Sequence, residues 1–443
     1  MPKSFFQKIK TGENINKIKL IAFIATFLLI FYNFAFFVGQ NAVDIPLWDE
    51  WDIFQEISQK GNWLHAILLQ HNEHRIGVGL TVMKAASHFT DWSQIWETKF
   101  VSFQIILSCL ILLFVKKRLN QDRKIEFLDI LLPLVFLNTL QFGNILFAFQ
   151  ITFVFPLVFL CLSVGSLLIK NIRLRNLSVV IFSFLATFSS FHGLFVPISF
   201  IIFFIWEFIT KRQSDIKLFL TTVFFESLAM ATYFIGYQNH LQAKLSLIPD
   251  RKWLDFFAVF FSNGFFFFDR LPKSMFLQYL LSLSIIVFMF IGIHHLKKSR
   301  DRVSNSQIGL LLLIYTMIFG LSIIIGRSSF GIAQATETRY VTFSMLVPVG
   351  IFFIASDLKW ENIIKICLII ILALNLIVFY SSANKAFVIN DAAKRKEALK
   401  CYQETKRNKW NRCFKIVPLY PSEERLEKLM PEVLIFKKMN INQ

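Results

Sequence analysis

The chain has 443 residues, 55% of them hydrophobic and only 17% charged, with 54 phenylalanines and a net charge of +18. A soluble globular enzyme is excluded, and because the charges cluster between apolar runs, the basic excess reads as membrane topology and not as a nucleic-acid surface. Uncharged runs such as 20–38, 274–293, 308–325 and 363–380 are long enough to cross about 30 Å of hydrocarbon as helices, so the expected class is an all-α polytopic membrane protein.

In chain order, the opening MPKSFFQKIKTGENINKIK carries five lysines, which the positive-inside rule assigns to the cytoplasm. The apolar run that follows lacks a small-residue cleavage pattern and reads as a signal anchor. Further basic clusters, KKRLNQDRK at 116–124, KNIRLR at 170–175, KRQSDIK at 211–217 and HHLKKSRDR at 294–302, belong on the same side, so an even number of crossings separates each from the next. About 11 transmembrane helices result, near 20–38, 97–115, 127–140, 152–169, 177–191, 194–210, 218–236, 274–293, 308–326, 341–355 and 363–381. Residues 74–89, HRIGVGLTVMKAASHF, read as a helix on the outer membrane face, because as a span they would turn KKRLNQDRK outward. No internal repeat supports an inverted-repeat transporter.

The first external loop, 39–96, is large and holds two short amphipathic helices, 51–59 and 62–70, separated by a Gly-Asn break. Trp51, Phe54 and Ile57, or Trp63, Ile67 and Leu68, are placed to rest on the bilayer, with Trp48, Trp51, Trp63, Trp92 and Trp96 as an interfacial belt. A tethered loop accounts for the tryptophans. It does not account for Asp49 and Glu50 at the membrane edge, or for His71, Glu73, His74 and Arg75 in HNEHR. A carboxylate so placed suits a general base on an acceptor hydroxyl or amine, and a partly desolvated one is a better base. Arg75 or a protonated histidine suits the phosphate of a lipid-linked leaving group. Together these are the requirements of glycosyl transfer from a polyprenyl-phosphate sugar.

Later external groups point the same way. Asn144 and Gln150 lie at membrane ends, either to bond sugar hydroxyls or to cap and pack helices. His192 sits in the tight turn SSFHG at 189–193, within reach of the site or simply at the interface. Arg327 and Arg339 bracket a short external segment with Glu337 and Tyr340, and guanidinium groups suit bidentate phosphate recognition, the alternative being headgroup snorkelling. His71 and His74 lack the i, i+4 spacing of a helical zinc site, so no metal or other cofactor is assigned, a divalent ion being the open alternative. Glu226 is an intramembrane acid suited to helix–helix bonding or to solvating a cavity. Cys109, Cys161 and Cys367 lie in apolar runs as inert packing residues. The basic tail, 382–443, has 14 Lys/Arg against 7 Asp/Glu, which favours the cytoplasm, while span parity places it outside. Cys401 and Cys413 within it are either an external disulfide or two free thiols.

The order of these features resembles the GT-C superfamily of integral-membrane glycosyltransferases, which includes protein mannosyltransferases and the aminoarabinose transferase of lipid A. Asp49-Glu50 soon after the first span, the helices 51–59 and 62–70, and the surface helix 74–89 are similar to that group's first external loop. WDEWD, QHNEHRI, FGNILFAFQ and ETRYVTFS more narrowly resemble a set of mostly uncharacterised bacterial membrane proteins. The resemblance implies a GT-C-like transmembrane domain over 1–381 in the bacterial cytoplasmic membrane, with its active site on the external or periplasmic side. The implied activity is inverting transfer of a sugar from a polyprenyl-phosphate donor to a cell-envelope acceptor (polysaccharide, lipid or protein), in the general plan of O-antigen modification. Asp49 is the expected base, with Glu50 second. Arg327 and Arg339 bind phosphate, and His71, Glu73, His74, Arg75, Asn144, Gln150 and Tyr340 complete the substrate site. The alternatives are a flippase for a lipid-linked sugar, which needs polar residues through the span centres, and a non-catalytic scaffold, in which the acid pair is dispensable.

Overall fold

The computed structural model describes residues 12–58, 63–120, 124–210, 212, 215–238, 250–265, 275–298, 303–381, 383–404, 413, 416–417 and 419–437. Among these residues nine helical stretches are long and apolar enough to cross a membrane: 17–41, 94–119, 127–145, 148–166, 191–209, 216–233, 275–297, 305–330 and 338–355. The protein is an all-α, multi-pass membrane protein. The two other spans expected from the sequence are also helical, Ile172–Thr187 with 16 residues and Glu361–Ser381 with 21. Helix 305–327 packs on 346–355, and helix 151–166 lies between 94–119 and 172–187.

Polar side chains start several of these helices and lock one end of the bundle. Asn171 and Asp215 accept the first free N–H groups of helices 172–187 and 216–233, and Ser304 forms a capping box with Gln307. At that same end Arg175 makes a buried fork with Glu207 at 2.9 and 2.7 Å. Asp357 accepts from Asn305 and from Ser306, and Lys365 meets Glu361 at 3.0 Å. These charges are paired where they leave water, as burial requires.

The opposite end is covered by the first loop and the tail. The loop contains α1 (Glu50–Ser58), α2 (Trp63–Leu68), a minimal hairpin of β1 (Gln70–His71) and β2 (His74–Arg75), and α3 (Gly77–Thr90). These match the two short helices expected, residues 59–62 lying outside the described residues. At 14 residues α3 is too short to span a bilayer. It packs on helix 151–166 and α1.

The apolar face of α1 does not rest on lipid. Trp51, Phe54 and Ile57 are buried inside the protein, and the Phe54 ring packs at a tilt against the fully buried Trp92, centroids 5.4 Å apart. Of the expected aromatic belt, Trp51 and Trp92 are core residues, Trp48 and Trp63 stay about half exposed, and Trp96 is half-buried. Trp63, Ile67 and Leu68 on α2 keep exposed apolar surface. The helix α4 (Glu423–Phe436) of the tail also packs on α1. The tail is tied internally by a disulfide between Cys401 and Cys413. Cys109 and Cys161 are buried as expected, whereas Cys367 is exposed on its helix.

Candidate functional site

A cavity of about 520 Å³ lies between the first loop and the ends of the spans. Asp49, His71, Glu73, His74, Gln150, Arg327, Arg339 and Tyr340 all line it, as do His192 and Tyr237. Segments nearly 300 residues apart in sequence thus converge on one volume.

The hairpin decides which residues of HNEHR face inward. His71 pairs with His74 and Gln70 with Arg75, leaving Asn72 and Glu73 as the turn. Asn72 takes φ +51°, a left-handed conformation that asparagine tolerates well. Side chains alternate along a strand, so His74 enters the cavity and Arg75 points away. Arg75 is buried and donates to the carbonyl oxygens of Tyr233, Leu68 and Ile235. It anchors the hairpin to the end of helix 216–233 and does not line the cavity, contrary to its expected substrate role. Tyr233 completes the anchor by donating to the Glu73 carbonyl at 2.5 Å. A Cβ on Gly77 would lie 1.8 Å from the Ile67 carbonyl oxygen, so the close return of the chain after β2 requires glycine.

Asp49 and Glu50 diverge although adjacent. Asp49 lies just before α1, after Trp48 at φ +51°, and its side chain is 41% exposed, 3.9 Å from His71 Nε2. Glu50 is turned into the protein. Its carboxylate accepts from the Leu47 N–H at 2.9 Å and the Phe149 N–H at 3.0 Å, joining the loop to the start of a span. Burial pushes its pKa up to about 7 against those two bonds. It does not line the cavity, so the second candidate base is instead a structural link.

Arg327 ends helix 305–327, and Arg339 lies in the short helix Thr338–Ser344. Arg327 donates to Glu73 Oε1 at 2.7 Å. Arg339 lies over the Tyr340 ring at 5.4 Å and faces the cavity. Asn144 is fully buried and donates to the Arg339 carbonyl at 2.8 Å and to Thr342 at 2.6 Å. Its amide supports the backbone that carries Arg339 and has no access to a sugar. The neighbouring Gly143 allows this approach, since a Cβ there would lie 2.1 Å from Thr338 Oγ1.

The histidines form a bonded row. His74 Nδ1 accepts from the Phe191 N–H at 3.2 Å, so its ring proton resides on Nε2, 3.6 Å from Glu73. Ser190 Oγ lies 3.2 Å from that Nδ1 and 3.0 Å from His192 Nδ1, while His192 Nε2 bonds the Phe153 carbonyl at 2.8 Å. Burial first, then His71, Arg327 and Arg339 nearby, push the His74 pKa down to about 3. His74 is therefore a neutral donor at physiological pH. Glu73 takes one N–H of Arg327, whose partly exposed guanidinium still lines the cavity with Arg339 and Asp49.

Asp49, Asp52 and His71 bring ligand atoms within 4.8 Å of one another. Asp52 Oδ1 already accepts from Tyr420 at 2.7 Å and from Arg425 at 2.7 Å. A guanidinium occupies the place of a cation there, and the trio fits a metal ion poorly. Glu226, buried on helix 216–233 beside Ser183, lies away from the cavity.

No family model matches the chain, and no curated protein or solved structure does either. The cavity's chemistry is read from its own residues. Reading along the sequence missed Asn72, Tyr237 and the tail residues that touch the loop. The tyrosine had one available signal, its position at the polar end of an apolar run.

Proposed function

We propose that this chain is a membrane glycosyltransferase, moving a sugar from a polyprenyl-phosphate donor to a cell-envelope acceptor at the membrane face that carries the cavity. The observation that carries the reading is the juxtaposition of an accessible carboxylate, Asp49, with the cationic Arg327 and Arg339 in one cavity. Its volume of about 520 Å³ falls within the range of small-molecule sites. The stretches WDEWD, QHNEHRI, FGNILFAFQ and ETRYVTFS each line or brace it, and the first of them holds the Asp49-Glu50 pair on which, with the loop helices, the GT-C resemblance rests.

In this reading Asp49 takes the proton of an acceptor hydroxyl as that oxygen attacks the anomeric carbon. The bond from anomeric carbon to phosphate oxygen breaks, and the polyprenyl phosphate leaves with its negative charge held by Arg339 and Arg327. His74 offers its Nε2–H to the sugar or phosphate. A single displacement of this kind inverts the anomeric centre. The disulfide of the tail, which packs on the same face, suits an oxidising compartment outside the cytoplasm of a bacterium. The flippase reading has less support, because the polar lining is confined to span ends and loops.

The test is transfer of labelled sugar from extracted polyprenyl-phosphate donors to envelope acceptors by the purified protein. Asp49→Asn is nearly isosteric and is expected to lower the rate about 10²–10⁴-fold. Normal transfer by that variant rules out this assignment of the base.

A further inference from the structure

The tail contacts the first loop on both sides of Asp49. On the near side, Lys437 is buried and donates to Asp44 at 3.0 Å, to the Trp92 carbonyl at 2.9 Å, and to Gln94. Asp44 in turn accepts the Gln94 N–H at 2.7 Å, so the stem of the loop is tied to the start of helix 94–119. Immediately before Asp49, the Trp48 N–H donates to the Leu419 carbonyl at 2.8 Å. On the far side, Asp52 accepts from Tyr420 and Arg425. Leu419 and Val433 are buried, so apolar packing fixes the segment that makes these bonds.

Trp48 gives these contacts their purpose. It holds φ +51°, a region that costs a bulky L-residue free energy and persists only where surrounding structure enforces it. Asp49 follows directly, and the direction of its side chain depends on that turn. The bond from Trp48 to Leu419 is the tail's direct hold on the strained residue.

We propose that residues 419–437 form a clasp that positions Asp49 toward the cavity. The clasp rests on the transfer reading above and adds Tyr420, Arg425 and Lys437 to it as positioning residues. None of them touches substrate. Releasing the clasp lets the Trp48–Asp49 turn relax, and the carboxylate loses its alignment with the acceptor, while Arg327 and Arg339 still bind the donor.

The experiment uses full-length protein carrying Tyr420→Phe and Arg425→Ala together, with Arg425→Lys as a separate variant. Hydrogen exchange in the double variant is expected to speed up about tenfold over residues 44–54, with helix 305–327 unchanged. Per folded molecule, kcat is expected to fall about tenfold or more while donor KM stays within about twofold, because only alignment is lost. Arg425→Lys keeps the ion pair and recovers most of the rate. Unchanged exchange over 44–54 overturns the clasp, as does faster exchange with wild-type kcat, or a loss expressed in donor KM. If wild-type protein transfers no polyprenyl-linked sugar, the transfer reading fails instead. The exchange rate over 44–54 then still decides whether the tail holds the loop.

Discussion

Arg327 donates to Glu73 at 2.7 Å across 254 residues of sequence, joining the end of a membrane helix to the turn of the first-loop hairpin. The pair settles the charge of the cavity. Among the described residues lining the cavity, that leaves Asp49 as the carboxylate and Arg339 as the guanidinium outside the pair.

A double-mutant cycle of Glu73→Gln and Arg327→Gln measures that relationship. Both side chains are partly solvated, so the coupling energy in thermal or denaturant stability is expected to be modest, about 1 kcal/mol. In transfer assays the two single variants should differ in kind. Glu73→Gln leaves Arg327 free for phosphate and lowers donor KM, whereas Arg327→Gln raises it. Equal effects on donor KM from both variants would mean that the pair acts only to brace the hairpin.

Arg339 is expected to recognise the donor phosphate through its planar fork. Arg339→Lys keeps the charge and loses the fork, so donor KM should rise about tenfold or more with little change in folded protein. Full activity of Arg339→Ala at limiting donor would move the phosphate role to Arg327.

Gly143→Ala tests whether the support beneath Arg339 matters. The added Cβ meets Thr338 Oγ1, and a shift to relieve such overlap costs about 1–3 kcal/mol. The strain falls on the backbone that carries Arg339, so a raised donor KM is expected. Thr338→Ala removes the obstructing oxygen and should restore much of the loss when combined with Gly143→Ala. An unchanged KM in the single variant would show that Arg339 tolerates movement of its backbone.

The spans and the converging end of the bundle were legible because apolar runs and basic clusters are local signals. The distinction between neighbours was not. Asp49 and Glu50 look alike in sequence, and only the turn before α1 sends one to the cavity and the other to the Phe149 N–H. HNEHR reads as one polar cluster until the two-residue turn at Asn72 and Glu73 imposes strand alternation, which takes Arg75 out of the site. Trp51 and Phe54 form an apolar face that suits lipid equally well. In the fold that face meets Trp92 of the same loop, while the tail, more than 350 residues away, bonds Asp52 of the same helix, and no local pattern reveals either contact.

Glu50 offers a test that separates structure from chemistry by pH. Its carboxyl titrates near the ordinary value of 4.5 when exposed and at about 7 in the folded protein, because burial disfavours the charged form. Between those values the folded state binds more protons than the unfolded chain, so stability falls as pH rises. The contribution is fully present below about pH 4.5 and is lost as pH rises through about 7, amounting to about 3 kcal/mol. Glu50→Gln cannot titrate, so this slope should vanish from its profile even though its amide serves the Leu47 and Phe149 N–H groups less well. Measured as thermal midpoints from pH 5 to 8, the variant should start below the wild type and gain on it steadily. Sugar transfer per folded molecule should stay near normal, unlike that of Asp49→Asn. Parallel stability profiles would mean that Glu50 is ionised throughout, and loss of transfer by folded Glu50→Gln would return it to the list of candidate bases.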